Sequence, residues 1–398
     1  MTSGMPFGSL RFIIIALALL AQAYLFLRMA HALKSSGVFG RFTAPAIGLA
    51  GTGIGLLFIL NWLVMSRPVL WVDPPMAAEA FLFYAPAVWS LGSIFSAFLL
   101  FLSQVGGGLV RVVVMIYRRA TGREIPKTVD VSRRRFLQAG VVGLAAAPFL
   151  LCGYGAGRQD YEIQELTLRF GVPLRGVQLS DIHAGVFMTR ESMRRYVDQV
   201  IALKPELLLL TGDYISNSTL FFPGFVEEIA RVRSRYGTFA TMGNHENWYG
   251  KRSYYEAMLR EYGIRLLQNA HQVVRTEQGP FAVAGIDDLR SGWPDLEAAL
   301  KGLDSDTPTI LLSHRPEIFP KAAAFGIGLT LSGHYHGGQI KVRLPGGDFS
   351  LAHLRTPYPE GLYRLNGSHL YVSRGIGTTF TPVRLNARPE VTLLRLTR

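Results

Sequence analysis

Eight side chains between residues 181 and 336 carry nitrogen or oxygen donors close behind apolar runs: Asp181, His183, Asp213, Asn244, His245, His314, His334 and His336. Gly176-Val177-Gln178-Leu179-Ser180 leads into Asp181-Ile182-His183, and Leu207–Thr211 leads into Gly212-Asp213. Thr238–Met242 leads into Gly243-Asn244-His245-Glu246. Thr309–Ser313 leads into His314, and Leu329–Ser332 into Gly333-His334-Tyr335-His336. No donor is sulfur, so the set suits divalent ions such as Mn²⁺, Zn²⁺ or Fe²⁺ and not a structural thiolate knot. One carboxylate between two cations can bridge them at roughly 3.5–4 Å, the spacing of hydrolytic two-metal sites. Such a pair lowers the pKa of a shared water, positions the resulting hydroxide and neutralises charge on a transferring phosphoryl group. A nearby imidazole can protonate the leaving oxygen. Phosphate-ester hydrolysis needs these parts.

The elements that must hold them follow from the pattern. From residue 165 onward, short apolar runs alternate with amphipathic stretches, which predicts strands and helices in turn and an α/β class. In α/β sheets, sites gather beyond the carboxyl ends of strands. Five buried strands, each delivering ligand-type side chains at that edge, describe one convergent site. Thr189 can cap a helix running to about Leu203, ended by Pro205, with Met193, Tyr196, Val197, Val200 and Ile201 on its apolar side. Further helices are expected around Phe225–Arg235 and Tyr254–Tyr262. After residue 338, Gln339–Leu344, Gly361–Leu365, His369–Ser373 and Glu390–Leu396 read as strands. Gly337-Gly338 suggests close approach of the backbone to the site. His271, His353 and His369 fit no motif and read as structural or surface residues, and Asp287-Asp288 reads as a loop pair.

The order D-x-H, G-D, G-N-H-E, a lone His after an apolar strand, then G-H-x-H resembles the calcineurin-like metallophosphoesterase family over about Leu174–Gln339. Ser373-Arg374-Gly375-Ile376-Gly377 is similar to a later loop of its membrane-associated bacterial branch. The resemblance implies a four-layer αββα sandwich of two sheets flanked by helices. It also implies Asp181, His183, Asp213 and His336 on one metal ion, and Asp213 as the bridge with Asn244, His314 and His334 on the other. By the same resemblance His245 is the leaving-group acid, with Glu246 beside it to orient the ring. Family members often carry a second Asp three residues after the bridging one; here that position is Ser216. Arg374 is a candidate phosphate contact.

At 398 residues the chain suggests two or three regions. Residues 1–150 hold 13 Lys and Arg against 4 Asp and Glu, whereas residues 151–398 hold 28 against 24. The basic excess therefore belongs to the first third. The remainder shows no dense Lys/Arg stripe, so no nucleic-acid partner is expected. A single cysteine, Cys152, excludes an internal disulfide framework.

Three apolar stretches, Phe12–Leu27, Ala44–Met65 and Ala80–Leu102, each approach the roughly 20 residues that span a hydrocarbon core. Trp62, Trp71 and Tyr84 lie near the ends of the second and third. An α-helical transmembrane region of three spans is therefore expected over 1–120, a basic linker over 121–157 and the phosphoesterase domain over 158–398. Arg28, Lys34 and Arg41 lie between the first two stretches, and a cluster from Arg111 to Arg135 follows the third. Positive loops stay cytoplasmic, so these two loops are expected inside, and the export signal or fourth apolar helix that follows is expected to place the catalytic domain on the outer face of the cytoplasmic membrane. Ser132-Arg133-Arg134-Arg135-Phe136-Leu137-Gln138 resembles a twin-arginine export signal before the apolar stretch Ala139–Cys152. A basic anchor before a fourth membrane helix is the equal alternative. The expected activity is hydrolysis of phosphate esters, diesters ahead of monoesters, with lipid, cell-wall or nucleotide phosphates as substrate classes and a lipid-linked ester favoured by location. Two other readings remain: a relative of UDP-diacylglucosamine hydrolase, which the charge bias opposes, and a membrane sensor or scaffold that binds metal without turnover.

Overall fold

The computed structural model describes residues 7–36, 40–66, 85–122, 161–379 and 382–398. The twin-arginine-like motif, the apolar stretch after it and Cys152 lie outside the described residues. The chain divides into two compact units, one built of apolar helices and one holding the donor-rich segments.

The first unit contains helices α1 (Phe7–Ser36), α2 (Thr43–Ser66) and α3 (Ala85–Thr121), each in contact with the other two. Small residues make close approach possible. Ala18, Ala21, Ala87, Ser90, Ser93 and Ser96 are buried, and a side chain on Gly51 would meet the Phe26 ring at 3.1 Å. Gln22 donates to the Ser90 hydroxyl at 3.5 Å, a polar contact inside the bundle. Among the described residues, two helices are long and apolar enough to cross a membrane, over Gly40–Leu60 and Pro86–Thr121; Ile15–His31 is a shorter apolar helix. The third apolar segment does not stop at Leu102, as the sequence suggested. Its helix has 37 residues, about 55 Å at 1.5 Å per residue. Three consecutive glycines, Gly106 to Gly108, lie inside it, and Leu109–Ile116 restore helix-compatible apolar character beyond them. Arg118 and Arg119 occupy its last turn, where cations offset the helix dipole.

The second unit is an α/β sandwich of two mixed sheets. Its strands in chain order are β1 (Glu162–Arg169), β2 (Leu174–Leu179), β3 (Leu207–Leu210), β4 (Thr238–Ala240), β5 (Ile264–Leu266), β6 (Ala270–Thr276) and β7 (Gly279–Gly285). They continue with β8 (Thr309–Leu312), β9 (Leu329–Ser332), β10 (Val342–Leu344), β11 (Gly347–Phe349), β12 (Gly361–Leu365), β13 (Ser368–Val372) and β14 (Glu390–Thr397). One six-stranded sheet has the order β1-β14-β2-β3-β4-β5 and the other β12-β13-β9-β8-β7-β6. The central strands of each are parallel: β2 to β5 in the first, β7, β8, β9 and β13 in the second. Parallel strands aim their carboxyl ends at one edge, so the five donor segments meet there.

Alternation decides which face each residue takes. Leu207, Leu209, Leu394 and Leu396 of the first sheet join Phe281, Val283, Ile310, Leu312, Leu329 and Leu331 of the second in one buried cluster. Each such fully buried Leu contributes roughly 1.5–3 kcal/mol from apolar burial. On the outer side of the second sheet, Ala284 and Leu311 pack with Leu296, Ala299 and Ala322 from flanking helices. The fold is thus the calcineurin-like sandwich that the motifs implied.

Local expectations hold in part. The Arg190–Ala202 helix is capped by Thr189, whose hydroxyl accepts the Ser192 N–H at 3.4 Å. The helix expected over Phe225–Arg235 instead spans Phe222–Ile229, with Pro223 in its first turn. It ends early because Arg231 and Val232 tighten into bonds with Glu228 and Ile229, and Tyr236 N must reach Glu206 O at 2.7 Å to enter β4. The strand expected over Gln339–Leu344 is shortened to β10, because Gln339 has φ +54°.

Candidate metal centre

The donors occupy the loops that leave β2, β3, β4, β8 and β9. Asp181, His183, Asp213, His334 and His336 all have φ between +51° and +75°, the left-handed region that L side chains rarely adopt. Such strain persists only where the surroundings over-determine it, and it clusters at functional sites. Glycines beside them allow close approach. A Cβ on Gly243 would fall on the Asp213 carboxylate, and one on Gly333 would fall on Ser180 and Asp181.

Asp213 lies at the middle. Its Oδ2 is 3.2 Å from His314 Nε2, 3.7 Å from His183 Nε2 and 3.9 Å from His245 Nε2. On one side His183 Nε2 is 3.1 Å from His336 Nε2, which is 3.5 Å from Asp181 Oδ1. On the other side His314 Nε2 is 3.1 Å from His334 Nδ1. Ligand atoms gather within 4.8 Å in three buried or half-buried groups: Asp181, His183 and His336; His183, Asp213 and His245; Asp213, His314 and His334. Facing imidazole nitrogens at 3.1 Å, each beside a carboxylate, fit divalent cations, because a cation can take up lone pairs that otherwise oppose one another. Asn244 is buried at the start of the Asn244–Tyr249 helix, its Oδ1 accepting from Arg315 at 3.1 Å. Arg315 also lies against His334 Nε2.

Burial and mutual charge set the protonation of these groups. Burial holds His183 neutral, its pKa pushed down to about 3, and drives His334 and His336 well below the usual histidine range. Burial pushes the Asp181 carboxyl up to about 6, with the Asp213 charge adding to it. Burial opposes charge on Asp213 and on His314 as well, but each stabilises the other. The Asp213 carboxyl stays well below its ordinary range and the His314 ring is raised to about 10.

Further groups hold the donor loops in place. The buried Glu246 carboxylate accepts N–H bonds from Asp213 (2.9 Å), Tyr214 (2.8 Å), Ile215 (3.3 Å) and Gly243 (2.9 Å), clamping two donor loops together. The contact seen at His245 Nδ1 is the backbone carbonyl of Ser216, the position where the family often has Asp. Asp288, expected to be a loop residue, accepts from Arg315 Nε at 2.8 Å and from Ser291 N–H at 2.8 Å, so it orients the guanidinium beside His334. Thr379 Oγ1 lies 3.1 Å from His183 Nε2 and 2.9 Å from His336 Nε2. Buried Arg384 fastens the loop bearing Thr379 through the carbonyls of Arg374 (2.9 Å) and Ala387 (3.1 Å).

Other expected features sit elsewhere. Arg374 pairs with Glu390 at 2.6 Å and Glu162 at 3.1 Å, which commits its guanidinium to carboxylates instead of a substrate phosphate. Gly337 and Gly338 do allow close approach, but of Glu360, Arg374 and Ser350 beside the centre. His271 bonds the Ala299 carbonyl at 2.8 Å, and His353 bonds Ser350. His369 sits in β13 opposite Arg364.

A sandwich of two mixed sheets with carboxylates and imidazoles converging at its carboxyl edge defines a metal-dependent hydrolase of phosphate esters. The chain belongs to the calcineurin-like metallophosphoesterase family. Residues 174–338 match the calcineurin-like phosphoesterase family directly. The chain is 31% identical over 281 residues to the uncharacterized metallophosphoesterase YkuE of Bacillus subtilis, covering 67% of this chain and 98% of that protein. It is 31% identical over 279 residues to phosphodiesterase YaeI of Escherichia coli, covering 67% and 99% respectively. A Bos taurus transmembrane protein with a metallophosphoesterase domain is 34% identical over 242 residues, 56% of this chain and 53% of that protein.

Proposed function

We propose that the chain is a membrane-anchored phosphodiesterase that works with two divalent cations. The observation that carries the reading is the central placement of Asp213 between two imidazole groups, with His183 on one side and His314 on the other. Asp181, His183, Asp213 and His336 would hold one ion, and Asp213, Asn244, His314 and His334 the other, with Mn, Zn or Fe as candidates. When bound, such a pair acidifies water at the site and neutralises charge on the phosphoryl oxygens.

The chain's own residues supply the rest. Asp213 sets the spacing of the two donor groups. The Ser216 carbonyl accepts the His245 Nδ1–H, and burial favours the neutral ring, so Nε2 would take up a proton from the site before passing it to the leaving oxygen. Asp288 holds the buried Arg315 guanidinium against Asn244 and His334, which fixes the orientation of those two donors. The name of the YaeI relative supports a diester substrate. Three spans in residues 1–120, a linker over 121–157 and an outward-facing domain over 158–398 are our topology, supported by the apolar helices and the placement of Lys and Arg. That location favours lipid or cell-envelope phosphates.

The test uses the full chain in detergent, loaded with Mn²⁺, on bis(p-nitrophenyl) phosphate and p-nitrophenyl phosphate. Faster hydrolysis of the diester, lost in His245→Ala, supports the reading. Bound metal with no hydrolysis of either ester would favour a sensor.

A further inference from the structure

Directly after the His336–Gly338 turn the chain leaves both six-stranded sheets. β10 and β11 pair only with each other, and every residue from Val342 to Phe349 is exposed. The 3₁₀ turn Leu351–Leu354 follows and packs on the His336–Gly338 turn, so this segment borders the centre. It exposes Val342, Leu344 and Phe349, and more fully Leu351 (75%) and Leu354 (71%). A lone two-stranded hairpin is marginal in water, and clustered apolar exposure marks an interaction surface.

Its base, by contrast, is firmly held. Lys341 is buried and pairs with Glu360 at 2.5 Å and Asp348 at 3.6 Å, and its N–H bonds the Leu385 carbonyl at 2.9 Å. The Asn386 amide donates to the Lys341 carbonyl at 2.9 Å, and Ser350 and His353 bond each other at the start of the turn. A fastened base with an apolar tip presents its side chains outward.

Charge selects the occupant. Between Lys341 and Arg364 four Lys and Arg face two Asp and Glu, and both of those acids are taken up by Lys341. Arg343 and Arg355 are exposed beside the leucines. Leu and Phe with interspersed Arg is the composition of segments that rest in an anionic bilayer interface, where apolar side chains enter the acyl boundary and guanidinium groups meet lipid phosphates. Among the described residues the same chain carries two helices long and apolar enough to span a membrane, which in the topology proposed above would tether this domain to one.

We propose that the Val342–Phe349 hairpin and the Leu351–Leu354 turn insert into the headgroup region of an anionic bilayer. The rim of the metal centre is then held at the lipid surface, and the phosphate ester is drawn from that surface. The last step rests on the phosphodiesterase reading; the insertion does not.

The experiment uses the full chain carrying Cys152→Ser and one new cysteine, Leu351→Cys, Leu354→Cys or Leu220→Cys. Leu220 is exposed in the Thr219–Phe221 turn, outside the hairpin segment, and serves as the control. Each protein is labelled with an environment-sensitive fluorophore and placed singly in nanodiscs of phosphatidylcholine and phosphatidylglycerol that contain spin-labelled lipid. Quenching several-fold stronger at 351 and 354 than at 220 is expected, reduced when phosphatidylglycerol is left out. Equal quenching at all three positions overturns the proposal. Labels at 351 and 354 that are shielded from aqueous iodide but not quenched by lipid also overturn it, because a protein then covers the patch. Hydrolysis of bis(p-nitrophenyl) phosphate in the same discs reads out the catalytic reading separately.

Discussion

The Glu246 carboxylate accepts the backbone N–H of Asp213 at 2.9 Å, so the residue next to His245 sets the loop that carries the central carboxylate. The same carboxylate holds Gly243 and Tyr214, which couples the β3 and β4 loops. Glu246→Gln turns an amide NH₂ toward these donors. Loss of roughly 1.5–3 kcal/mol of stability is expected, the range for charge-assisted bonds left unmade. Weaker metal retention should accompany it. An unchanged thermal midpoint and metal content would show that the clamp contributes nothing.

Asp213→Asn tests the bridge proposed between two cations. A neutral amide neutralises two cations far less well than a carboxylate, so metal content should fall for both ions together. Elemental analysis after gel filtration reads this directly. Retention of a full complement would remove Asp213 from the shared position.

His245→Ala separates acid from ligand. The ring's Nδ1 bonds the Ser216 carbonyl, and its Nε2 is 3.9 Å from Asp213. Metal should stay bound while turnover of an aryl diester falls by roughly 10²–10⁴-fold. If metal leaves with the ring, His245 acts as a ligand instead.

Acid stability is set in part far from the centre. Burial raises the Glu228 pKa, but hydrogen bonds from Arg194, Arg190 and Arg231 outweigh it and hold the carboxyl down at about 2. A depressed carboxyl stabilises the fold above its unfolded pKa, and that contribution is lost as pH falls through the folded value. The Arg190–Ala202 and Phe222–Ile229 helices should therefore loosen between about pH 4.5 and 2, seen as faster amide exchange. Glu228→Gln should flatten that pH dependence; an identical profile would assign it to Asp198, Glu227 or other acids nearby.

Much of the centre was legible because its residues are placed by period and position. A run such as Leu207–Leu210, bounded by Pro205 and Gly212, reads as a buried strand, and a donor just beyond it then lies at the sheet edge. The helix limits were less legible. Phe222–Ile229 stops where Tyr236 must reach Glu206, a contact between segments that no local propensity encodes. The roles of Asp288, Thr379 and the Ser216 carbonyl were hidden for the same reason, since each meets its partner only after distant loops converge.

Taken alone, the amino-acid order determined the chemistry available: which donors exist, which runs are apolar, and how much of the chain suits a bilayer. Periodicity and side-chain type suffice for that, being properties of neighbours along the chain. Tertiary structure decided what each group touches. It brought Asp213 between His183 and His314, turned five donor residues into left-handed backbone, spent Arg374 on Glu390 and left Leu351 and Leu354 bare beside the centre. Those outcomes depend on sheet order and on burial shared among distant segments, which only the packed chain specifies.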